Sequence, residues 1–471
     1  MEMLIVKLDK TNVTPLYEQI YEQIQTDIST GKLPVGSKLP SKRRLGEFLD
    51  VSQTTIELAY GQLVAEGFIS AKPRQGFFVQ DIGELAYVQQ EKTPYEPVKQ
   101  EKETIELSVD FSPGKIDTHS FPFTQWRKCA KDLMDESSHH LLLLGHPHGD
   151  LALRQEIARY LYHSRGVDCT PEQIIVGSGT EQLMPLVIRI LGDEATYAIE
   201  DPGYPLTHHV FFHNNRKAIP IAVDEEGMDV QMLVNSGATV AYVTPSHQFP
   251  TGTVLSASRR TALLNWASSK RNHFIIEDDY DSEFRYTGKP IPALQGMDKG
   301  KNVIYLSTFS KSLMPSLRIA YMVLPPQLLD RYEKAFIHYS STVPRLDQHI
   351  LARFMAEGHF SRHLNRMRKV YRRKLQALTE TLESYAPAVR FFGDEAGMHI
   401  IMTVQSDQDE QTLTELAQDA GIRLYGLNQY RTISIVDEQP SFLIGFGGLS
   451  VDEIKKAIED LMTIWNIPRK P

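Results

Sequence analysis

The chain lacks the features that would set it apart from ordinary globular proteins. Two cysteines, Cys129 and Cys169, in 471 residues are too few for a disulfide scaffold or a cysteine-rich zinc site. No apolar run approaches the ~20 residues needed to cross a bilayer. The first residues lack the basic-then-apolar pattern of a secretory signal, so a cytoplasmic protein without membrane contact is expected. There is no excess of positive charge either. A net charge of −9 confines any nucleic-acid contact to a local patch. No internal repeat recurs. What is present, 41% hydrophobic and 23% charged residues, is the composition of a folded chain, and its length suggests two or three domains.

The first eighty residues read as one small domain. Leu16, Ile20, Ile24 and Ile28 mark one face of a helix after Pro15. Gly31–Gly36 breaks it, and a second helix begins with Ser41 as N-cap, with Leu45, Phe48 and Leu49 facing inward. Asp50-Val51-Ser52 turns the chain into a third helix that buries Ile56, Ala59, Tyr60, Leu63 and Val64. Phe68-Ile-Ser and Gly76-Phe-Phe-Val79 follow as two strands joined by Ala71-Lys-Pro-Arg-Gln. Three helices and a hairpin describe a winged helix-turn-helix. Residues 1–80 are neutral, six Lys and three Arg against nine acids, yet Lys32, Lys38, Lys42, Arg43 and Arg44 lie together without an acid among them. Lys72 and Arg74 sit on the wing. Such separation makes a basic face suited to phosphates.

Leu39-Pro-Ser-Lys-Arg-Arg-Leu, Val51-Ser-Gln-Thr-Thr-Ile, Leu63-Val-Ala-Glu-Gly-Phe and Gly76-Phe-Phe-Val resemble the GntR-type winged helix over nearly its whole length. The resemblance implies binding to double-stranded operator DNA through Lys42, Arg43, Arg44, Ser52, Gln53, Thr54, Thr55, Arg74 and Gly76. Gln53 stands where these proteins often carry arginine, and an amide prefers the adenine edge to guanine. From 81 to 107 the pattern of buried faces gives way to a polar, proline-interrupted stretch. It reads as a flexible linker with a mean span of about 25–30 Å.

From residue 108 to 471, apolar runs alternate with helical stretches, as in an α/β sheet with crossover helices. The runs are 173–176, 195–199, 240–243, 273–276 and 303–306, each followed at once by polar residues. In open α/β sheets a ligand sits beyond the carboxyl ends of the strands, so these clusters should converge. Lys311 lies just past the last run, with Ser307, Thr308 and Ser310 before it and Arg318 after it. A partly desolvated lysine can form a Schiff base with a carbonyl cofactor, and hydroxyls with an arginine suit that cofactor's phosphate. Gly177-Ser-Gly-Thr-Glu-Gln182 opens a helix whose free amides would hold a phosphate. Its Gln182 breaks the dinucleotide fingerprint. Tyr204 sits on the turn Asp201-Pro-Gly-Tyr-Pro205, and the acids of Glu277-Asp-Asp-Tyr-Asp-Ser-Glu283 follow the fourth run. Close acids of this kind suit a divalent cation, a solvated loop or, beside a lysine and a phosphate cradle, a pyridinium nitrogen. No metal site is expected. The pairs His139-His140 and His208-His209 lack metal-ligand spacing.

Together these features resemble fold-type I pyridoxal-phosphate enzymes of the class I aminotransferase type. Joined to a GntR head, and with Thr244-Pro-Ser-His-Gln-Phe-Pro-Thr-Gly252, the whole chain resembles the MocR family of bacterial regulators. The fold class expected is therefore multidomain, with a small subdomain at about 345–471. The resemblance implies pyridoxal 5'-phosphate held as an internal aldimine on Lys311, with Asp278 on the pyridine nitrogen, Tyr280 on the phenolic oxygen and Tyr204 stacked on the ring. Ser178, Gly179, Thr180, Ser310 and Arg318 would hold the phosphate. It also implies a homodimer and a small amino compound as effector, its carboxylate on Arg431 or Arg423. Leu206 replaces a second effector arginine of some relatives. Where aminotransferases read Asn-Pro-Thr-Gly this chain has Phe249-Pro-Thr-Gly252. That loss weighs against physiological turnover and for a sensor of an amine or of pyridoxal phosphate itself. The alternative is a working aminotransferase that carries a DNA-binding module. Gln348–Leu382 is long, basic and amphipathic, with His359, Arg362, His363, Arg366, Arg368, Lys369, Arg372, Arg373 and Lys374. It reads as a solvated helix face or, less favoured, a second DNA surface.

Overall fold

The computed structural model describes residues 8–83, 107–288, 291–299, 301–433 and 439–470. Nearly all of the expected linker, residues 84–106, lies outside them. The chain forms two compact units, Met1–Lys102 and Glu103–Pro471.

In the first unit α1 (Leu16–Ser29), α2 (Lys42–Leu49) and α3 (Gln53–Ala65) precede β1 (Ile69–Lys72) and β2 (Gly76–Val79). The two strands pair antiparallel from Ile69–Val79 to Lys72–Gly76. Ser41 Oγ accepts the Arg44 amide, and Ser52 Oγ the Thr55 amide, which starts α2 and α3 where the sequence places them. Ile20, Ile24, Leu45, Ile56, Tyr60 and Leu63 are buried in one core, and the Tyr60 hydroxyl donates to Pro40 O at 3.0 Å. Two residues expected inside are outside: Phe48 is 48% and Val64 38% exposed. Gly46 takes the inner position on α2, where an added Cβ would stand 3.0 Å from Val51 O. Val64 falls about 100° of helix rotation past Leu63, at the edge of the buried stripe.

The second unit is built on an eight-stranded sheet. Its strands are β3 (Ile174–Gly177), β4 (Tyr197–Asp201), β5 (Ala218–Asp224), β6 (Gly227–Met228), β7 (Val240–Val243), β8 (Phe274–Asp279), β9 (Val303–Thr308) and β10 (Ala320–Val323). They lie in the order β3-β10-β9-β8-β7-β4-β5-β6. From β9 through β5 neighbours run parallel, so their carboxyl ends share one edge. Each apolar run read from the sequence is a strand, and near-continuous burial along β3, β4, β7, β8 and β9 explains why they are apolar on both faces. β10 was not anticipated. It returns antiparallel between β9 and β3 after Arg318 turns the chain in the left-handed region (φ 51°).

The smaller sheet has β11 (Val389–Phe392), β12 (His399–Val404), β13 (Tyr425–Gly426) and β14 (Ser441–Gly445) in the order β11-β12-β14-β13. Val109–Asp110 pairs with Ile422–Arg423, so the first described residues after the linker join the subdomain expected at 345–471. The basic stretch splits at Gly358 into helices Arg345–Ala356 and His359–Glu383. Part of its charge is inward and structural: Lys374 is buried and pairs with Asp117 at 2.8 Å, His363 is buried, and Arg368 Nε donates to Glu283 O. No described helix is long and apolar enough to cross a membrane.

One ion pair fixes helix Leu151–Arg165 to the sheet. Arg165, at the helix end, places Nε 2.7 Å from Asp279 Oδ2, both side chains being almost fully buried. Burial works against the Arg165 charge, and Asp279, together with Tyr305 and Glu277, more than restores it. Arg165 also donates to Ile291 O and to Ser246 Oγ. Removing one partner of such a pair leaves an uncompensated charge. Arg165→Leu is therefore expected to lower unfolding stability by about 3–5 kcal/mol, measured by urea denaturation of the full chain.

Candidate functional site

The polar residues that follow β3, β4, β7, β8 and β9 meet Ser112-Pro113-Gly114, His399, Tyr425 and Tyr430 around a cavity of about 380 Å³. Gly179, Thr180, Tyr204, Asp278, Tyr280, Ser310, Lys311 and Arg318 all line it. Ser178 does not, although it precedes Gly179 on the same turn, and its amide donates to Gln182 Oε1 at 3.2 Å. Arg431 lines an adjoining cavity with Glu200, Tyr204 and Tyr430. Arg423 is exposed, its guanidinium 5.5 Å from the Tyr425 ring centre.

Lys311 Nζ donates to Pro113 O, and burial brings its pKa down to about 8. Asp278 is the penultimate residue of β8 and lines the cavity. Tyr242 donates its hydroxyl to Asp278 Oδ2, whereas Oδ1 is buried with no partner among the described residues. Burial first, and the nearby Asp279 and Asp281 charges after it, push the Asp278 pKa up to about 7 despite the Tyr242 hydrogen bond. An unpartnered buried carboxylate oxygen calls for a cationic or N–H donor from the cavity. Gly179, also in the lining, caps helix Thr180–Leu191. An added Cβ there would stand 2.4 Å from Arg318 Nη2 and 2.5 Å from Glu181 Oε2, so the Glu181 carboxylate lies beside Arg318 at a helix N-terminus of the kind that holds anions. Arg318 pairs with Glu181. The Thr308 hydroxyl is 2.9 Å from Ser310 Oγ. Tyr204 is 45% exposed and its ring meets that of Phe249 edge-on at 5.2 Å.

The acidic run after β8 is neither a solvated loop nor one cluster. Glu277 accepts the Leu294 and Gln295 amides at 2.8 and 2.9 Å. Asp279 takes Arg165, Asp281 takes His247 Nδ1 at 3.0 Å, and Glu283 takes the Tyr160 hydroxyl at 3.2 Å. Sequence reasoning missed two histidines here. Ligand atoms of His247, Asp281 and His399 lie within 4.8 Å of one another, all buried. His247 sits inside the Thr244–Gly252 segment and Asp281 in the acidic run, but nothing local ties His399 to either. Tyr280 is engaged with the same group: its hydroxyl donates to His247 O at 2.9 Å.

On the first unit the residues expected to meet DNA lie at the start of α2, the start of α3 and the wing. Arg43, Arg44, Ser52, Gln53, Thr54 and Arg74 are exposed, with Thr55 and Gly76 half-buried. Among the described residues Arg43 has one ion-pair contact, 3.5 Å to Glu47. Lys42 is tied to Glu57, and its ammonium lies 5.6 Å from the Phe77 ring centre. Arg74 and Gly76 adopt positive φ (63° and 105°) and so shape the wing tip.

The Lys311 ammonium is penalised by burial below pH 8, and the penalty is relieved as pH rises from about 8 towards the lysine's ordinary range. Lys311→Met should therefore raise the stability of the cofactor-free protein at pH 7 by about 2 kcal/mol. The gain should vanish by about pH 10.5, as followed by urea denaturation across that range.

The model of class I and II aminotransferases matches residues 105–461, and that of the gntR family of bacterial regulatory proteins matches residues 16–79. The chain is 41% identical to an uncharacterized HTH-type transcriptional regulator of Bacillus subtilis (strain 168), YdeL, over 98% of this chain and 99% of that protein. It is 30% identical to the probable rhizopine catabolism regulatory protein MocR of Rhizobium meliloti, over 96% of this chain and 94% of that one. A kynurenine aminotransferase of Pyrococcus horikoshii, solved with PMP, superposes with a TM-score of 0.68 at 25% identity, covering 77% of this chain and 91% of its own. This chain belongs to the MocR family of HTH-type transcriptional regulators, in which a GntR-type winged helix is fused to a class I and II aminotransferase domain.

Proposed function

We propose that the aminotransferase-like unit binds pyridoxal 5'-phosphate and senses an amino compound, and that this controls how a homodimer's winged helices hold operator DNA. The observation that carries the reading is the pairing, in one cavity, of a lysine whose amine is easily neutralised with the unpartnered Oδ1 of Asp278. When bound, the cofactor supplies a carbonyl that condenses reversibly with primary amines and an absorption in the visible. Lys311 is the resident amine. Asp278 Oδ1 is the acceptor for the pyridine N–H, and Tyr204 is the ring wall. Tyr280, whose hydroxyl donates to His247 O in this structure, would turn that proton to the phenolic oxygen. The turn Ser178-Gly179-Thr180, with Ser310 and Arg318, takes the phosphate, which then competes with Glu181 for Arg318. Arg431 suits an effector carboxylate better than Arg423, because it borders the adjoining cavity.

Phe249 supports sensing over turnover. It puts an apolar ring where aminotransferases present an amide to the phenolic oxygen, and the ring packs against Tyr204, Tyr430 and His399 at 5.2–5.4 Å. Leu142, Leu143 and Leu144 are 88%, 68% and 85% exposed, an apolar strip whose burial would suit a dimer. An effector acts only through unequal affinity for the two states of the regulator.

The test is the visible spectrum of the purified protein, titrated with a panel of amino acids and amines. A band that shifts with one compound without keto-acid release supports the sensor, whereas continuous keto-acid release would make the protein an aminotransferase. Lys311→Ala should abolish the band and leave DNA affinity within about threefold; joint loss of both would deny separate sensing and reading units. Arg43→Ala should weaken binding to all duplexes alike and reduce the slope of log K against log salt by about one, as measured by fluorescence anisotropy.

A further inference from the structure

A second cavity, of about 520 Å³, lies in the second unit between helix Leu151–Arg165, the segment after β8 and the start of helix His359–Glu383. It shares no lining residue with the Lys311 cavity. Its size is that of a small-molecule site, and its charges are unequal. Arg159, Arg165, Arg285 and Arg368 line it, against Glu156 and Glu283. Two of these arginines are spent: Arg165 on Asp279 at 2.7 Å and Arg159 on Glu156 at 2.9 Å.

The other two keep capacity. Half-buried Arg368 donates from Nε to Glu283 O at 2.6 Å and from Nη1 to Asn365 Oδ1 at 2.9 Å, both neutral acceptors. Arg285 Nη2 donates to Glu395 Oε2 at 3.3 Å, while its Nε and Nη1 are buried without a partner among the described residues. Glu283 is 7% exposed. Its Oε1 accepts the Tyr160 hydroxyl at 3.2 Å, and its Oε2 is buried and likewise unpartnered among the described residues. Buried donors and acceptors cost stability until something pairs with them. The guanidinium N–H groups call for an acid, because a planar guanidinium matches a carboxylate through parallel hydrogen bonds. The carboxyl oxygen of Glu283 calls for an O–H or N–H. Met355, Phe360 and Leu364 add apolar lining, which suits a short carbon skeleton.

We propose that this cavity is a second small-molecule site, and that its ligand is a short carboxylic acid that also carries a hydroxyl or an amino group. The carboxylate is taken by Arg285 and Arg368, and the hydroxyl or amine gives its proton to Glu283 Oε2. The site stands apart from the cofactor reading and needs no chemistry at Lys311.

Malate is the probe, because it has a hydroxyl and no amine that could condense with a carbonyl cofactor. Isothermal titration calorimetry of the full chain should show malate binding, unchanged by saturating pyridoxal phosphate. Succinate, the same diacid without the hydroxyl, should bind about tenfold more weakly. Arg368→Met and Arg285→Met keep the aliphatic stem, and each should weaken malate binding about ten- to a hundredfold. Exposed Arg159, already paired with Glu156, is the control: Arg159→Met should stay within about threefold. Absence of heat with malate at millimolar concentration overturns the proposal, as does unchanged affinity in both Arg285→Met and Arg368→Met. Succinate or inorganic phosphate binding as tightly as malate overturns the ligand class. Loss of malate binding on adding pyridoxal phosphate would put malate in the Lys311 cavity and overturn the second site. If either arginine variant fails to unfold cooperatively in urea, the comparison of malate, succinate and phosphate on the wild-type chain decides.

Discussion

Five buried carboxyl groups within seven residues, Glu277 to Glu283, are the constraint on which the second unit depends. A carboxylate taken out of water must be paired or protonated. Each of these draws a different element towards β8. Glu277 holds the start of helix Leu294–Met297 through two amides. Asp279 anchors helix Leu151–Arg165, Asp281 fixes His247, and Glu283 meets Tyr160. Glu277, Asp278 and Glu283 have their pKa values raised to about 7, burial being the largest cause for each. The polar groups that complete the cavity are placed by this demand. Asp278 Oδ1, Asp279 Oδ1 and Glu283 Oε2 are each left without a hydrogen-bond partner among the described residues, and of the three residues Asp278 lines the Lys311 cavity.

Lys311, in the same cavity, obeys the same rule with the sign reversed. A buried ammonium is disfavoured, and Lys311 responds by becoming easier to deprotonate. The aromatic rings of Tyr204, Phe249, Tyr280 and Tyr430 line the same cavity. Phe249 contributes packing, its ring against those of Tyr204, Tyr430 and His399.

The winged helix is governed by simpler physics. A small apolar core fixes three helices, two serines cap the second and third of them, and Gly46 allows the close turn that brings them together. Basic side chains are then left outside because the core has no room or partner for them. Lys42 shows the limit of counting charges along the sequence. The acid that pairs with it, Glu57, comes from the next helix.

The sequence by itself determined both folds, because strand burial, helix periodicity, caps and turns are local properties that composition and spacing express directly. It also located the Lys311 cavity, since in a parallel sheet whatever follows each strand must gather at one edge. Only the tertiary structure decided which acid answers which base. It paired Arg165 with Asp279 across 114 residues, buried Lys374 against Asp117, set β10 antiparallel and joined Val109–Asp110 to a strand more than three hundred residues away. It alone brought His399 beside His247. Such pairings depend on desolvation and distance in the folded state, which leave no period, cap or spacing in the chain.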